Sequence, residues 1–340
     1  MSCLTSRPNC PMISAYKYAA KIMSKSTQRE KESPMIKKDI FKKNVKAQFQ
    51  ASAKDRMYRF VMADKMIKGA VVHTTRMVNE MRANHGIGPL ETLVLGQAYI
   101  AAALMCSGLK GKDRVSMNIQ CSGPVKGLDV EANVFGEVRG YLKNNEIQVK
   151  DPKQIKGLST LFGAGFLTIT KYLENASPYS GQIALEHGSI AEDLAAYFLR
   201  SEQIPTGFKL SVFFNEQDFV EGAGGIFLQA MPGVAPEKVI EAEKQLQNIH
   251  SLGQTFALGT SPRELIEKEF AGLSPRFLDS SRVEFFCRCS RERMEKYLTN
   301  MQAHEMDEII QKGPFPLEVT CHHCNSMYRF SKNDLISFSN

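Results

Sequence analysis

Apolar positions follow strand and helix periods along the chain from about Asp55 onward. Alternating or short apolar runs predict strands, and apolar residues spaced three or four apart predict helices. The predicted strands are 58–62, 69–73, 115–121, 127–134, 136–142, 163–170, 208–214 and 224–230, and the predicted helices are 89–107, 191–202 and one capped by Thr74 or Thr75 that runs toward Asn84. Because strands and helices interleave irregularly, the pattern indicates an α+β fold rather than a regular βαβ array.

The pattern becomes helical and charged after residue 233. Helices are predicted at 237–251 and 265–270, with a capping-box signature at Ser261 and Glu264. Their apolar faces must pack on another part of the protein. We therefore predict four segments: a basic, disordered leader (1–54), an α+β body (55–232), a helical linker (233–282) and a small terminal module (283–340).

The composition is that of an ordinary globular protein, with 43% hydrophobic and 23% charged residues. The net charge of +7 gives only a weak attraction to nucleic acid, because much of the excess lies in the first seventy residues rather than in a folded patch. The longest apolar run, 93–109, is interrupted by glycines and a glutamine and is shorter than a bilayer span requires. It predicts a buried helix and no membrane association.

The first 29 residues contain no Asp or Glu, carry Lys and Arg, and are rich in serine, a composition typical of an organelle transit peptide. A disordered basic leader, or a start codon further along the chain, explains the same composition, and we favour that interpretation over targeting. The 8 cysteines of the chain are too few for a disulfide scaffold. We therefore expect a reducing compartment, the cytoplasm.

Four of the cysteines form two close pairs near the C-terminus. Cys287 and Cys289 are separated by one residue, and Cys321 and Cys324 by two. Two such pairs are the ligand set of a tetrahedral Cys₄ zinc site, with one Zn²⁺ per chain. Buried free cysteines are the alternative interpretation. His322 and His323 lie between the second pair, and we expect them to be solvent-facing residues of the turn rather than ligands.

Zinc would keep the four sulfurs as thiolates, and thiolates are the groups that peroxide attacks. Oxidation to two disulfides, Cys287 with Cys289 and Cys321 with Cys324, would remove every metal ligand. The terminal module buries too little apolar surface to be stable alone, so it would unfold and expose surface that it and the linker cover. The pattern thus favours a redox switch, and a purely structural zinc site is the alternative.

At these residues the sequence resembles a family of redox-regulated molecular chaperones, the 33 kDa chaperonin family. Residues 286–293 look like its first zinc motif, and 319–325 with Tyr328 and Phe330 look like its second. The similarity continues through 179–181, 188–198 and 201–206 and covers nearly everything from Asp55 onward. The leader, with Cys3 and Cys10, departs from the family pattern.

The resemblance implies an ATP-independent holdase that is inactive when reduced and zinc-bound. Oxidation would release zinc, unfold the linker and give a homodimer that binds unfolded client proteins, which protects them from aggregation under oxidative and heat stress. No catalytic constellation is evident, so we expect no enzymatic activity. Two rivals remain: a nucleic-acid-binding zinc ribbon, favoured by the basic balance, and a thiol–disulfide oxidoreductase that uses Cys321 and Cys324.

Overall fold

The structure, a computed structural model, describes residues 35–148 and 158–338. Its strands are β1 (Arg56–Met62), β2 (Ile67–His73), β3 (Arg114–Cys121), β4 (Gly127–Asn133), β5 (Glu137–Leu142), β6 (Gly165–Tyr172), β7 (Tyr179–Ala184), β8 (Thr206–Phe214), β9 (Val220–Ala230), β10 (Arg276–Arg282), β11 (Glu284–Phe285), β12 (Leu317–Thr320) and β13 (Met327–Phe330). Its α-helices are α1 (Val45–Lys54), α2 (Thr75–His85), α3 (Pro89–Met105), α4 (Ser159–Phe162), α5 (Ile190–Ser201), α6 (Pro236–Asn248), α7 (Leu252–Ala257), α8 (Pro262–Glu269), α9 (Arg291–Thr299), α10 (Ala303–Lys312) and α11 (Lys332–Phe338). The predicted α+β class is confirmed.

The strands form three sheets. The first has the order β10-β1-β2-β9-β8, the second β11-β5-β4-β3-β6-β7, and the third pairs β12 with β13. All pairs of the first sheet are antiparallel, whereas β11 joins β5 in parallel through the register Glu284 to Glu137 and Phe285 to Val138. The residues that precede the first cysteine pair are therefore fixed to the second sheet.

Helix α3 packs between the two large sheets, against β4 and β5 on one side and β8 and β9 on the other. Its only charged residue is Glu91, and Pro89 occupies its first turn, where a missing N–H costs no hydrogen bond. The close approach of α3 to β9 requires a glycine on β9, because a Cβ at Gly225 would lie 2.6 Å from Ile100 Cγ2. By length and composition Pro89–Gly108 could cross a membrane, but 78% of that window is buried, which confirms the predicted core helix.

Helix α2 is capped by a residue from outside the helix. Thr74, at the N-cap, makes no side-chain cap hydrogen bond, contrary to the prediction for this position. Instead the Asp55 carboxylate accepts hydrogen bonds from Met77 N at 2.7 Å and Arg76 N at 3.3 Å. Burial raises the pKa of Asp55, and its hydrogen bond with His73 opposes that shift. Asp55 thus joins the start of β1 to the start of α2.

Helices α6, α7 and α8 pack on the first sheet. Their buried apolar residues share one cluster with Phe60, Val71 and Ile226 of that sheet. The members from the helical segment are Ala242, Leu246, Ile249, Leu252, Phe256, Leu265, Ile266, Phe270 and Leu273. The expectation that these apolar faces pack on another part of the protein is confirmed. The segment is not entirely helical, because its end forms β10, which pairs with β1.

The described chain divides into two compact units. The larger contains Ile36–Cys287 and Thr320–Met327, and the smaller contains Met35, Arg288–Val319 and residues 328–338. In the smaller unit, Met294, Leu298, Met306 and Leu335 are buried. The predicted limits of body, linker and module stay a prediction.

The structure describes residues 35–54 of the predicted leader. Helix α1 occupies Val45–Lys54, and the Asn44 side chain caps it by accepting from Ala47 N. Residues 36 and 38 make hydrogen bonds to Ser326 and Asn84, which lie far away in sequence. The extent of the leader, residues 1–54, stays a prediction. Residues 1–34, with the transit-like composition, Cys3 and Cys10, lie outside the described residues.

Candidate metal centre

The four cysteines predicted as metal ligands come together in the structure. Cys287, Cys289, Cys321 and Cys324 are all buried, and their sulfur atoms all lie within 4.8 Å of one another. The Cys287 and Cys321 sulfurs are 3.9 Å apart. Four thiol sulfurs at tetrahedral metal–sulfur distances of about 2.3 Å would be roughly 3.8 Å apart. The cluster therefore has the donor set and the spacing to hold one metal ion.

The second pair is presented by a tight turn between β12 and β13. The Cys321 carbonyl accepts hydrogen bonds from Asn325 N at 2.7 Å and Cys324 N at 3.3 Å, and Cys321 N donates to Ser326 O at 2.9 Å. Asn325 has φ of 55°, in the left-handed region that asparagine tolerates better than most residues. The turn brings the Cys321 and Cys324 sulfurs within 4.8 Å of each other.

The first pair follows β11. Phe286 N donates to Val138 O at 3.0 Å, so β5 fixes the backbone immediately before Cys287. Cys289 lies just before α9, whose N-cap Ser290 accepts a hydrogen bond from Arg293 N. The Tyr328 hydroxyl donates to the Cys289 sulfur at 3.1 Å. Each cysteine of this pair is thus held by a neighbouring element as well as by its own backbone.

An arginine of the second sheet contacts the cluster. Arg139 Nη1 donates to the Cys287 sulfur at 3.6 Å, and Nη2 donates to both Glu131 carboxylate oxygens at 3.2 Å. Burial opposes the charge of Arg139, but Glu131 and Cys287 together raise the pKa of its guanidinium above the usual value. Arg139 therefore brings a permanent positive charge to sulfurs that carry negative charge as thiolates.

Two arginines close to the cysteines in sequence form ion pairs with carboxylates. In the structure Arg291 Nη2 forms an ion pair with Asp334 at 3.0 Å, and Arg329 Nε pairs with Glu318 at 3.0 Å. Arg139 lies about 150 residues before Cys287 in sequence, and only the pairing of β11 with β5 brings it close. No local signal could have identified it.

The turn of the second pair is fixed to the body by main-chain groups. Gly140 N donates to His323 O at 3.1 Å, and the buried Tyr99 hydroxyl donates to Gly140 O at 2.9 Å. His322 is exposed and His323 is half-buried, and both rings lie beside Tyr141 at centroid distances of 5.8 and 5.5 Å. His322 is therefore solvent-facing as expected, whereas His323 is not fully so. Neither belongs to the cysteine cluster.

Burial lowers the pKa of two histidines near this turn. The pKa of His85, at the end of α2, falls to about 4, and that of His323 falls below its usual value, with Arg139 as a second cause. Both imidazoles are therefore neutral near pH 7. The two other described cysteines, Cys106 and Cys121, are free thiols, and burial raises the pKa of both, so neither is a reactive thiolate.

Comparison with known proteins gives consistent matches. A sequence profile of the family described as Hsp33 protein matches residues 55–331. The chain is 35% identical over 285 residues to a 33 kDa chaperonin of Agathobacter rectalis, which spans 83% of this chain and 98% of that protein. It is 33% identical over 282 residues to a 33 kDa chaperonin of Geobacter sp. strain M21, covering 83% of this chain and 95% of that protein.

A solved structure also matches. The crystal structure of the 33 kDa chaperonin (heat shock protein 33 homolog) of Thermotoga maritima superimposes with a TM-score of 0.77 at 30% sequence identity. The match covers 84% of this chain and 98% of that chain.

Proposed function

The chain belongs to the Hsp33 family of chaperones, and from this membership and the geometry of its cysteines we propose that it is a redox-regulated, ATP-independent holdase. In the reduced state Cys287, Cys289, Cys321 and Cys324 bind one Zn²⁺ and the protein is inactive. Oxidation of the two pairs activates it toward unfolded client proteins. The observation that carries the proposal is the cluster of four buried cysteines, whose sulfur atoms all lie within 4.8 Å of one another.

The cysteine cluster suits zinc. Four thiolates give a closed tetrahedral site, the form that zinc takes in structural sites, and the 3.9 Å separation of the Cys287 and Cys321 sulfurs matches that geometry. Bound zinc supplies folding free energy on the order of 10 kcal/mol. Cys287 and Cys289 hold one side of the site and the turn from Cys321 to Cys324 holds the other. Arg139 offsets part of the negative charge of the thiolates.

Oxidation converts each pair of thiolates to one disulfide. Two thiolates give two electrons to hydrogen peroxide, which takes up two protons from the solvent and forms two molecules of water, while one S–S bond forms and the O–O bond breaks. Cys287 pairs with Cys289, and Cys321 pairs with Cys324. Four sulfurs in two disulfides are poor metal ligands, so the terminal module loses the metal's contribution to its stability and unfolds.

The linker connects the unfolding of the terminal module to a binding surface for client proteins. Val283 N donates to Asp55 O at 3.2 Å and Glu284 N donates to Gly136 O at 2.8 Å, so the chain between α8 and Cys287 is anchored to the body. Loss of order at Cys287 weakens these anchors and releases β10 and the helices before it. Phe60, Val71 and Ile226 of the first sheet, with the apolar faces of the helices, then become accessible to unfolded chains.

The same proposal covers partners and location. The oxidised form is a homodimer that holds clients without nucleotide and without an enzymatic step, and it protects them from aggregation during oxidative and heat stress. The compartment is the cytoplasm, and the partners include neither nucleic acid nor membrane.

Light scattering from an aggregating unfolded client tests the proposal. The reduced, zinc-loaded protein is compared with the same protein after peroxide treatment under mildly unfolding conditions. We expect suppression of aggregation only after oxidation, together with release of one zinc per chain. Equal suppression of aggregation by the reduced and the oxidised protein would contradict the redox switch and indicate a purely structural metal site. Salt-sensitive binding of nucleic acid by the folded part would then support the zinc-ribbon alternative.

A further inference from the structure

A short segment ahead of the family match is bound to the second cysteine pair. Residues 36–38, which we call the N-terminal strap, precede Asp55, where the similarity to the Hsp33 family begins. Ile36 N donates to Ser326 Oγ at 3.0 Å, and Ser326 Oγ donates to Ile36 O at 3.1 Å. Ser326 is buried, and its hydroxyl oxygen also lies 3.2 Å from the Cys324 sulfur. One hydroxyl thus touches both the strap and a metal ligand.

Asn84 links the strap to the same turn a second time. Its side-chain amide donates to Ile36 O at 2.9 Å and to Cys324 O at 2.8 Å, and its side-chain oxygen accepts from Lys38 N at 2.7 Å. Asn325 Nδ2 donates back to Asn84 O at 2.9 Å. Asn84 is buried, so these hydrogen bonds do not compete with bulk water. Both amide hydrogens of Asn84 are used, one on the strap and one on the cysteine turn.

The side chain of Lys37 anchors the strap to α2. Lys37 Nζ forms an ion pair with Glu80 at 2.9 Å, lies 4.0 Å from Glu284 and sits over the Phe285 ring at 5.7 Å from its centroid. Glu80 is buried and also pairs with Arg76 at 2.7 Å. The strap is therefore held at three successive residues, by main-chain bonds at Ile36 and Lys38 and by charge at Lys37.

We propose that the N-terminal strap is an internal clamp on the second cysteine pair, which slows metal release and the joining of Cys321 to Cys324. This inference rests on the proposed function in that it takes zinc and peroxide as the ligand and the oxidant. To form a disulfide the turn must change shape, and this change is opposed by the strap bonds to Ser326 and by the bond from Asn84, which the strap also contacts, to Cys324 O. With the strap released, the turn loses two buried contacts and rearranges more readily.

A charge reversal at Lys37 weakens the attachment of the strap and leaves the residues of the cysteine turn unchanged. In Lys37→Glu the new carboxylate faces Glu80 and Glu284 and repels the strap from α2. Lys42→Glu is the matched control, because it makes the same charge change in the same segment at an exposed side chain. The assay uses the full-length, reduced, zinc-loaded chain and follows zinc transfer to a chromogenic chelator, with and without hydrogen peroxide.

We expect Lys37→Glu to release zinc at least about fivefold faster than the unmodified protein, a change of about 1 kcal/mol in the barrier, and Lys42→Glu to match the unmodified protein. Equal rates for Lys37→Glu and the unmodified protein overturn the clamp. Hydrogen exchange on the unmodified protein gives a second test that needs no variant. The Ile36 and Lys38 amides should be protected when zinc is bound and lose protection when it is removed, and unprotected amides in the zinc-loaded protein overturn the clamp.

These readouts are independent of chaperone activity. A protein that shows the Lys37→Glu effect but never suppresses aggregation supports the clamp and contradicts the proposed function. A protein that suppresses aggregation after oxidation but releases zinc equally in both variants contradicts the clamp alone.

Discussion

The Arg139 guanidinium donates a hydrogen bond to the Cys287 sulfur at 3.6 Å, so β5 carries a positive charge to a cysteine that lies about 150 residues later in the chain. Arg139 also pairs with Glu131 on β4, which fixes the orientation of the guanidinium. The cysteine cluster is therefore supported by the second sheet, and we expect its affinity for metal to depend on a residue far from the two cysteine motifs.

Replacing Arg139 should weaken metal binding. Arg139→Met keeps much of the side-chain volume but removes a charged hydrogen bond, which contributes roughly 1.5–3 kcal/mol, so we expect zinc affinity to fall about tenfold or more. Competition with a chelator of known affinity measures the change. Arg114→Met is the control, since Arg114 shares the Glu131 carboxylate at 3.3 Å from β3. Equal affinities for the two variants would count against the role of Arg139.

Removing a ligand should partly activate the protein without oxidant. In Cys321→Ser the hydroxyl is a much poorer zinc ligand than a thiolate, so zinc binding weakens and part of the population opens. We expect partial suppression of client aggregation by the reduced variant. The control is Cys121→Ser, at a half-buried thiol on β3 outside the cluster. A Cys321→Ser protein that keeps all of its zinc and does not suppress client aggregation would refute the coupling between metal binding and activity.

Loosening the linker should activate the protein while zinc stays bound. Phe270 is fully buried in the cluster between the linker helices and the first sheet, and Phe→Ala at such a site costs about 3–5 kcal/mol. We expect Phe270→Ala to bind clients when reduced, with normal zinc content and faster hydrogen exchange over 236–273. Leu258→Ala serves as control because Leu258 is 81% exposed. If Phe270→Ala is as inactive as the control, the covered sheet is not the client surface.

Acid should destabilise the protein through His85. Burial lowers the pKa of His85 from 6.5 to about 4, so the unfolded chain binds this proton more readily than the folded chain. The folded state therefore loses stability as pH falls from about 6.5 to about 4, by up to about 3 kcal/mol, and no further loss follows below both values. Urea unfolding at pH 7 and pH 5 should show a smaller difference for His85→Gln than for the unmodified protein.

The control for this measurement is His250→Gln, at an exposed histidine of the linker. It should keep the full pH dependence of the unmodified protein. An unchanged difference between pH 7 and pH 5 in His85→Gln would show that another group carries the acid sensitivity.

Much of the fold follows from local pattern. The predicted strand 115–121 corresponds to β3, and the predicted helix 89–107 to α3, because apolar periodicity and the proline at the helix start are local signals. β10 was missed within the predicted helical linker. Its seven residues are mostly exposed, and only antiparallel pairing with β1 makes them a strand. Pairing over more than 200 residues leaves no periodic signature in the sequence.

The candidate site also contains residues that the sequence identifies and residues that only the tertiary structure places there. The spacing of the four cysteines identifies them directly, since the ligands of a metal site come in close pairs. Their supports, Arg139 and Asn84, are ordinary polar residues on a strand and a helix, and tertiary contact alone gives them their position. The N-terminal strap was predicted as part of a disordered leader because its basic, polar sequence lacks periodicity.

The pairing of β1 with β10 also sets an order of events during synthesis. β1 is complete when residue 62 leaves the ribosome, but its partner strand β10 ends only at Arg282. The hydrogen bond from Val283 N to the Asp55 carbonyl also forms only after Val283 has been made. At about 5–20 residues per second the delay is roughly 10–40 s. Throughout that time β1 lacks its β10 partner along one edge. An unpaired strand edge is a template for pairing with another chain, so this edge of β1 is open to aggregation until β10 has been made.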